Sequence, residues 1–96
     1  MTKPEVFKFI LYVAGDAQNS VEAIANLTAL CRLHLPGQHD IDIVDVFQKP
    51  ERALKDGIFL TPTLVKIAPQ PARQIIGTLG RTETVLQALG LTVELA

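Results

Sequence analysis

The chain has 96 residues, 48% of them hydrophobic, enough for one domain over residues 1–96 around one core. A net charge of −1 and a pI near 6.0 exclude a general nucleic-acid binder, which presents a basic face. No apolar run reaches the ~18 residues of a membrane span. Thr2-Lys3-Pro4-Glu5 does not read as a signal peptide, and the lone Cys31 cannot close an internal disulfide, so the expected setting is the reducing cytoplasm.

Val6 to Val13 is apolar nearly throughout and rich in β-branched and aromatic residues, as a central strand buried on both faces requires. Gly15 to Asn19 reads as a loop. Asn19 and Ser20 offer N-cap oxygens, and Glu22 stands at capping-box spacing from Asn19. A helix is expected from Val21 to Leu35, with Val21, Ile24, Leu27, Cys31 and Leu35 on its apolar face and Pro36-Gly37 as its stop. Asp40 to Val46 alternates apolar and polar, as a strand with one wetter face does. Pro50 suits the first position of a short helix, Pro50 to Asp56, that ends at Gly57. Thr63 to Ile67 and Gln74 to Ile76 read as strands joined by the stiff turn Ala68-Pro69-Gln70-Pro71. Thr82 can cap a last helix from Glu83 to Leu89. The order is β-α-β-α-β-β-α, with a parallel first βαβ unit and an antiparallel closing hairpin.

The residues that could carry chemistry mostly have plainer readings. Cys31 lies mid-helix on the apolar face, where a thiol is structural rather than nucleophilic. His34 and His39 lack a third metal ligand. Asp40 and Asp42 share one strand face, and Asp45 interrupts an apolar run on the other. Gly77 to Arg81 lacks the glycine pattern and lysine of a phosphate loop. No catalytic, cofactor-binding or metal residue is assigned. Lys66 and Arg73 stand on the two arms of the proline turn and suggest a basic docking patch, since a stiff display loses little entropy on binding. Pro62, Pro69 and Pro71 are candidates for a conformational switch, because X-Pro isomers differ by only ~0.5–1 kcal/mol and interchange slowly.

Leu60-Thr61-Pro62-Thr63 stands where a thioredoxin-like fold places its cis-proline. The loop Ala14 to Ser20 stands where that fold carries Cys-x-x-Cys, and it has no cysteine. The scaffold without its thiols points to binding rather than catalysis.

Leu11-Tyr12-Val13-Ala14-Gly15, Asn19-Ser20-Val21, Ile43-Val44-Asp45-Val46, Thr61-Pro62-Thr63-Leu64, Arg73 and Ile75-Ile76-Gly77, with Val85, Leu86 and Leu89, resemble the KaiB family of circadian clock proteins over about residues 6 to 91. The resemblance implies a non-enzymatic regulator that binds the ATPase ring of a KaiC-type hexamer. It also implies fold-switching between a self-associated ground state, dimer or tetramer, with a different C-terminal half, and a monomeric thioredoxin-like binding form. The expected docking surface is Glu51, Arg52 and Lys55 on the second helix, with Lys66 and Arg73. Glu22, Asp42 and Gln74 replace residues that are basic in cyanobacterial members, which counts against KaiA as a partner. Gly57 stands where a lysine is usual. Ala88 and Gly90 replace a glycine and an aspartate of the switching segment. Alanine favours helix by about 1 kcal/mol over glycine, and Gly90 can cap the helix, so both changes are expected to favour the thioredoxin-like form.

Three other readings stand beside this one. A sensor module like the N-terminal domain of the kinase SasA would have the same fold, but a kinase segment is expected to follow it. A glutaredoxin- or glutathione-type enzyme would use Pro62 and a serine or cysteine of the first loop, where Ser20 is the candidate. The last is a structural oligomer.

Overall fold

A computed structural model describes residues 6–91. The elements are β1 (Phe7–Val13), α1 (Gln18–His34), β2 (His39–Asp45), α2 (Pro50–Lys55), β3 (Thr63–Ala68), β4 (Arg73–Ile76) and α3 (Thr82–Ala88). The strands form a four-stranded sheet in the order β2-β1-β3-β4. β1 pairs parallel with β2 and antiparallel with β3, and β3 pairs antiparallel with β4. The expected element order and strand directions are those observed.

β1 is interior because it can bury both faces. Phe9, Leu11 and Val13 point to one side and pack with Leu27, Leu30 and Cys31 of α1, Leu64 of β3, and Val85 and Leu89 around α3. Ile10 and Tyr12 point to the other side and join Val44, Val65, Ala53 of α2 and Ile58. The two-residue period of a strand thus feeds two cores from one segment.

The first helix departs from the expected frame. It begins at Gln18, three residues early, with Ala17 as N-cap and no side-chain cap. Asn19 and Ser20 lie in its first turn, and the capping box is not used. Ser20 is buried, and its Oγ accepts the Ala14 N–H at 3.0 Å. Seating Ser20 inward rotates the stripe: Ala23, Leu27, Leu30 and Cys31 are buried, whereas Val21 is 52% exposed. Thr82 likewise opens α3 rather than capping it; Arg81 is the N-cap, without a side-chain bond.

Both short helices stop in the same way. Gly57 has φ +68° and donates to Leu54 O, while Ile58 donates to Ala53 O at 2.8 Å. Gly90 has φ +75° and donates to Gln87 O, while Leu91 donates to Leu86 O at 2.8 Å. This is the paired Schellman pattern, which favours glycine at the left-handed position. Thr61–Pro62, Ala68–Pro69 and Gln70–Pro71 are cis.

Leu11 is fully buried and Leu33 is 75% exposed. Leu11→Ala is expected to lower the unfolding free energy by about 2–5 kcal/mol, and Leu33→Ala by less than about 0.5 kcal/mol. Urea denaturation followed by circular dichroism measures both.

Candidate partner interface

The position of a thioredoxin thiol pair is occupied by structural contacts. The Asp45 carboxylate accepts the Gly15 N–H at 3.1 Å and the Phe47 N–H at 2.9 Å. The carboxylate singled out in β2 therefore ties the β1–α1 loop to the β2–α2 turn. Ser20, the candidate nucleophile of the enzyme reading, is spent on accepting the Ala14 amide, which cannot serve as its base. Cys31 is fully buried, and desolvation pushes its thiol up to about 11, away from the reactive thiolate. His39 Nδ1 bonds the Leu35 carbonyl at 2.7 Å. Among the described residues no group of three His, Cys, Asp or Glu could hold a metal.

The second helix is held from beneath by a polar set. The Tyr12 hydroxyl donates to the Asp56 carboxylate at the C-terminal end of α2. The Arg52 guanidinium pairs with Asp42 of β2 at 2.9 Å. Arg52 and Asp56 are four residues apart, on one helical side, so both turn toward the sheet. Burial, then the Asp56 hydrogen bond and charge, raise the Tyr12 hydroxyl from 10.0 to about 12, while Arg52 acts in the opposite sense. Glu51, Leu54 and Lys55 are left on the outer stripe, with Leu54 73% exposed. Phe47 and Phe59, 75% and 89% exposed, stand in the turns before and after this helix.

The expected docking residues therefore divide. Glu51 and Lys55 are presented to solvent on α2, and Arg73 is exposed on β4. Arg52 is engaged with Asp42. Lys66 corrects the expectation most clearly, being 3% exposed rather than part of a basic patch. Its strand parity turns it to the α3 side, beside Leu64. There its ammonium meets Leu89 O at 3.5 Å, at the C-terminus of α3, and lies 5.7 Å from the Phe7 ring centre. Lys66 and Arg73 are register partners with opposite exposure, so they form no joint surface in this form. Pro62 is buried, Pro71 is exposed, and Ala88 and Gly90 lie at the end of α3. Sequence reading missed Leu54, Phe47 and Phe59, whose only signal was an apolar residue off the helical core stripe or inside a turn.

A family model described as the KaiB domain matches residues 10–91. The chain is 40% identical over 84 residues to "Circadian clock protein KaiB3" of Synechocystis sp., covering 88% of this chain and 82% of that one. It is 42% identical to "Circadian clock oscillator protein KaiB" of Thermostichus vulcanus over 88% of this chain and 78% of that one. In solved structures it resembles the N-terminal domain of Synechococcus elongatus SasA, with TM-score 0.66, 18% identity, and coverage of 100% of this chain and 94% of that one. It also resembles mitochondrial thioredoxin 3 of Saccharomyces cerevisiae, with TM-score 0.72, 20% identity, and coverage of 93% and 82%. These last two likenesses establish the thioredoxin-like fold.

Tyr12 is the one tyrosine, and the chain has no tryptophan, so its titration is free of overlap. The stability that Tyr12 contributes by staying protonated is present below pH 10 and is lost as pH rises toward about 12. Phenolate absorbance should show a midpoint near 12 in the native chain and a lower one in Asp56→Asn.

Proposed function

The chain belongs to the KaiB family, and from that premise we propose that it is a non-enzymatic regulator that docks on the ATPase ring of a KaiC-type hexamer and modulates its phosphorylation cycle in a clock or clock-like timing system. The observation that carries this reading is the outer stripe of α2. An exposed Leu54 lies between Glu51 and Lys55 on a helix held to the sheet by Tyr12 and Arg52. An apolar centre within a charged rim is the usual anatomy of a protein interface. The rim charges steer encounter and set specificity. Arg73 is exposed on β4, on the sheet face opposite α2, and Lys66 acts inside the fold. The thiol-free loop beside Pro62 supports a binding role over thiol chemistry.

Docking belongs to the thioredoxin-like form, and Ala88 and Gly90 favour that form at α3. Ala88 is a good helix former at the last helical position, and Gly90 supplies the left-handed stop. Pro62, Pro69 and Pro71 lie in the same C-terminal half and complete the proposed switch. KaiA is not a proposed partner. Glu22 and Asp42 are acidic, and Asp42 is committed to Arg52.

Mixing the chain with the KaiC-type ATPase of the same genome and ATP should give a complex within seconds by native mass. No complex with any such ATPase refutes the regulator reading. Leu54→Ala should weaken binding by about tenfold or more, and Lys55→Glu should mainly slow association. In the free chain, amide resonances should report β3 and β4 as strands and residues 82–88 as helix. A spectrum with a different C-terminal half and a larger native mass refutes the Ala88 and Gly90 assignment.

A further inference from the structure

The sheet has two outer strands, β2 and β4, with opposite charge. β2 carries exposed Asp40 and Asp42, whereas β4 begins with exposed Arg73 and leads to exposed Arg81. Which backbone groups of β4 are open follows from its register. The Gly77 N–H donates to Pro62 O at 2.9 Å, so Gly77 faces β3. Facing alternates along an antiparallel ladder. Ile75 and Arg73, opposite Leu64 and Lys66, therefore face β3 as well. Gln74 and Ile76 direct their N–H and C=O groups outward, away from the sheet.

A groove of about 310 Å³ runs alongside this strand, toward α3. Ile75, Ile76, Thr78, Leu79 and Val85 line it, and Arg81 is the charged residue among its walls. It lies on the α3 side of the sheet, whereas α2 packs on the opposite side.

We propose that the β4 edge and this groove bind an extended, acidic and apolar segment of a partner protein by strand addition. The segment's backbone pairs with Gln74 and Ile76, and one of its apolar side chains enters the groove. Its carboxylates lie toward Arg73 and Arg81. Backbone pairing supplies affinity in this mode and the side-chain pocket supplies specificity. Charge selects the edge, because the same segment is repelled by Asp40 on β2, where Asp42 is already paired with Arg52. The site is independent of docking through α2.

The test titrates the full chain, labelled for amide spectra, with a short capped peptide that carries valine and glutamate in turn at every second residue, on the one face turned to α3, with threonine between them. Shifts are expected at Gln74, Ile76, Thr78 and Val85, with affinity that falls as salt rises. A valine and lysine peptide should bind at least ~10-fold more weakly. Gln74→Pro removes an outward N–H and spares the ladder to β3. It should weaken binding by ~10-fold, about the loss of one hydrogen bond. Arg81→Glu, a surface change, should do the same and serves if Gln74→Pro alters the native spectrum. The proposal is overturned by shifts confined to β2, by equal binding of the two peptides, or by unchanged affinity in Arg81→Glu. An unshifted β4, or a β4 that pairs only with a second copy of this chain, also overturns it.

Discussion

Everything in this molecule is arranged about the burial of β1. Phe7 to Val13 pair with β2 on one edge and Lys8 to Tyr12 with β3 on the other, so its backbone is paired along both sides. Its faces then supply both cores, Leu11 to the α1 and α3 layer and Tyr12 to the α2 layer. From Phe9 to Val13 such a strand is apolar on successive residues, because both faces pack there, whereas Lys8 near its start meets water. The other elements can be short because each needs to complete only one side of a layer that β1 already defines.

Directional polar contacts then fix the helices that the apolar layers only seat. Hydrophobic contact is non-directional, so it leaves a six-residue helix such as α2 free to slide or rotate. The Tyr12 hydroxyl on Asp56 and the Asp42 carboxylate on Arg52 remove that freedom. Lys66 performs the matching task for α3, reaching the Leu89 carbonyl from the adjacent strand. Asn26 of α1 adds a 2.8 Å bond to Thr78 O, which ties the loop before α3 to the first helix. Of these charges Lys66 is spent inside the fold, whereas Arg52 and Asp42 pair at its surface. The face left for a partner is the one that these bonds do not use.

Much of the fold was legible. The stretch from Val6 to Val13, apolar at every position but Lys8, reads as an interior strand. Pro50, Gly57 and Gly90 marked helix ends through fixed φ or the left-handed conformation, which are properties of single residues. Legibility failed where two local rules competed. Asn19 and Ser20 satisfy the capping pattern, yet Ser20 finds a better partner in the Ala14 amide once the chain has turned back over β1. That contact is decided by a tertiary approach, and it moves the helix start and rotates its buried stripe away from Val21.

The sequence by itself determined the order of elements, the central strand, the helix stops and the absence of a thiol pair beside Pro62. These depend on period, on backbone stereochemistry and on residue identity, all of which are local. Only the tertiary structure decided which charges are available. Lys66 and Arg73 are cross-strand neighbours in register, yet one is sealed beneath α3 and the other meets water. Strand parity says which side a residue faces. Whether a helix covers that side depends on packing between segments distant in sequence. The same packing paired Arg52 with Asp42 across the sheet edge and left Leu54 without such a contact.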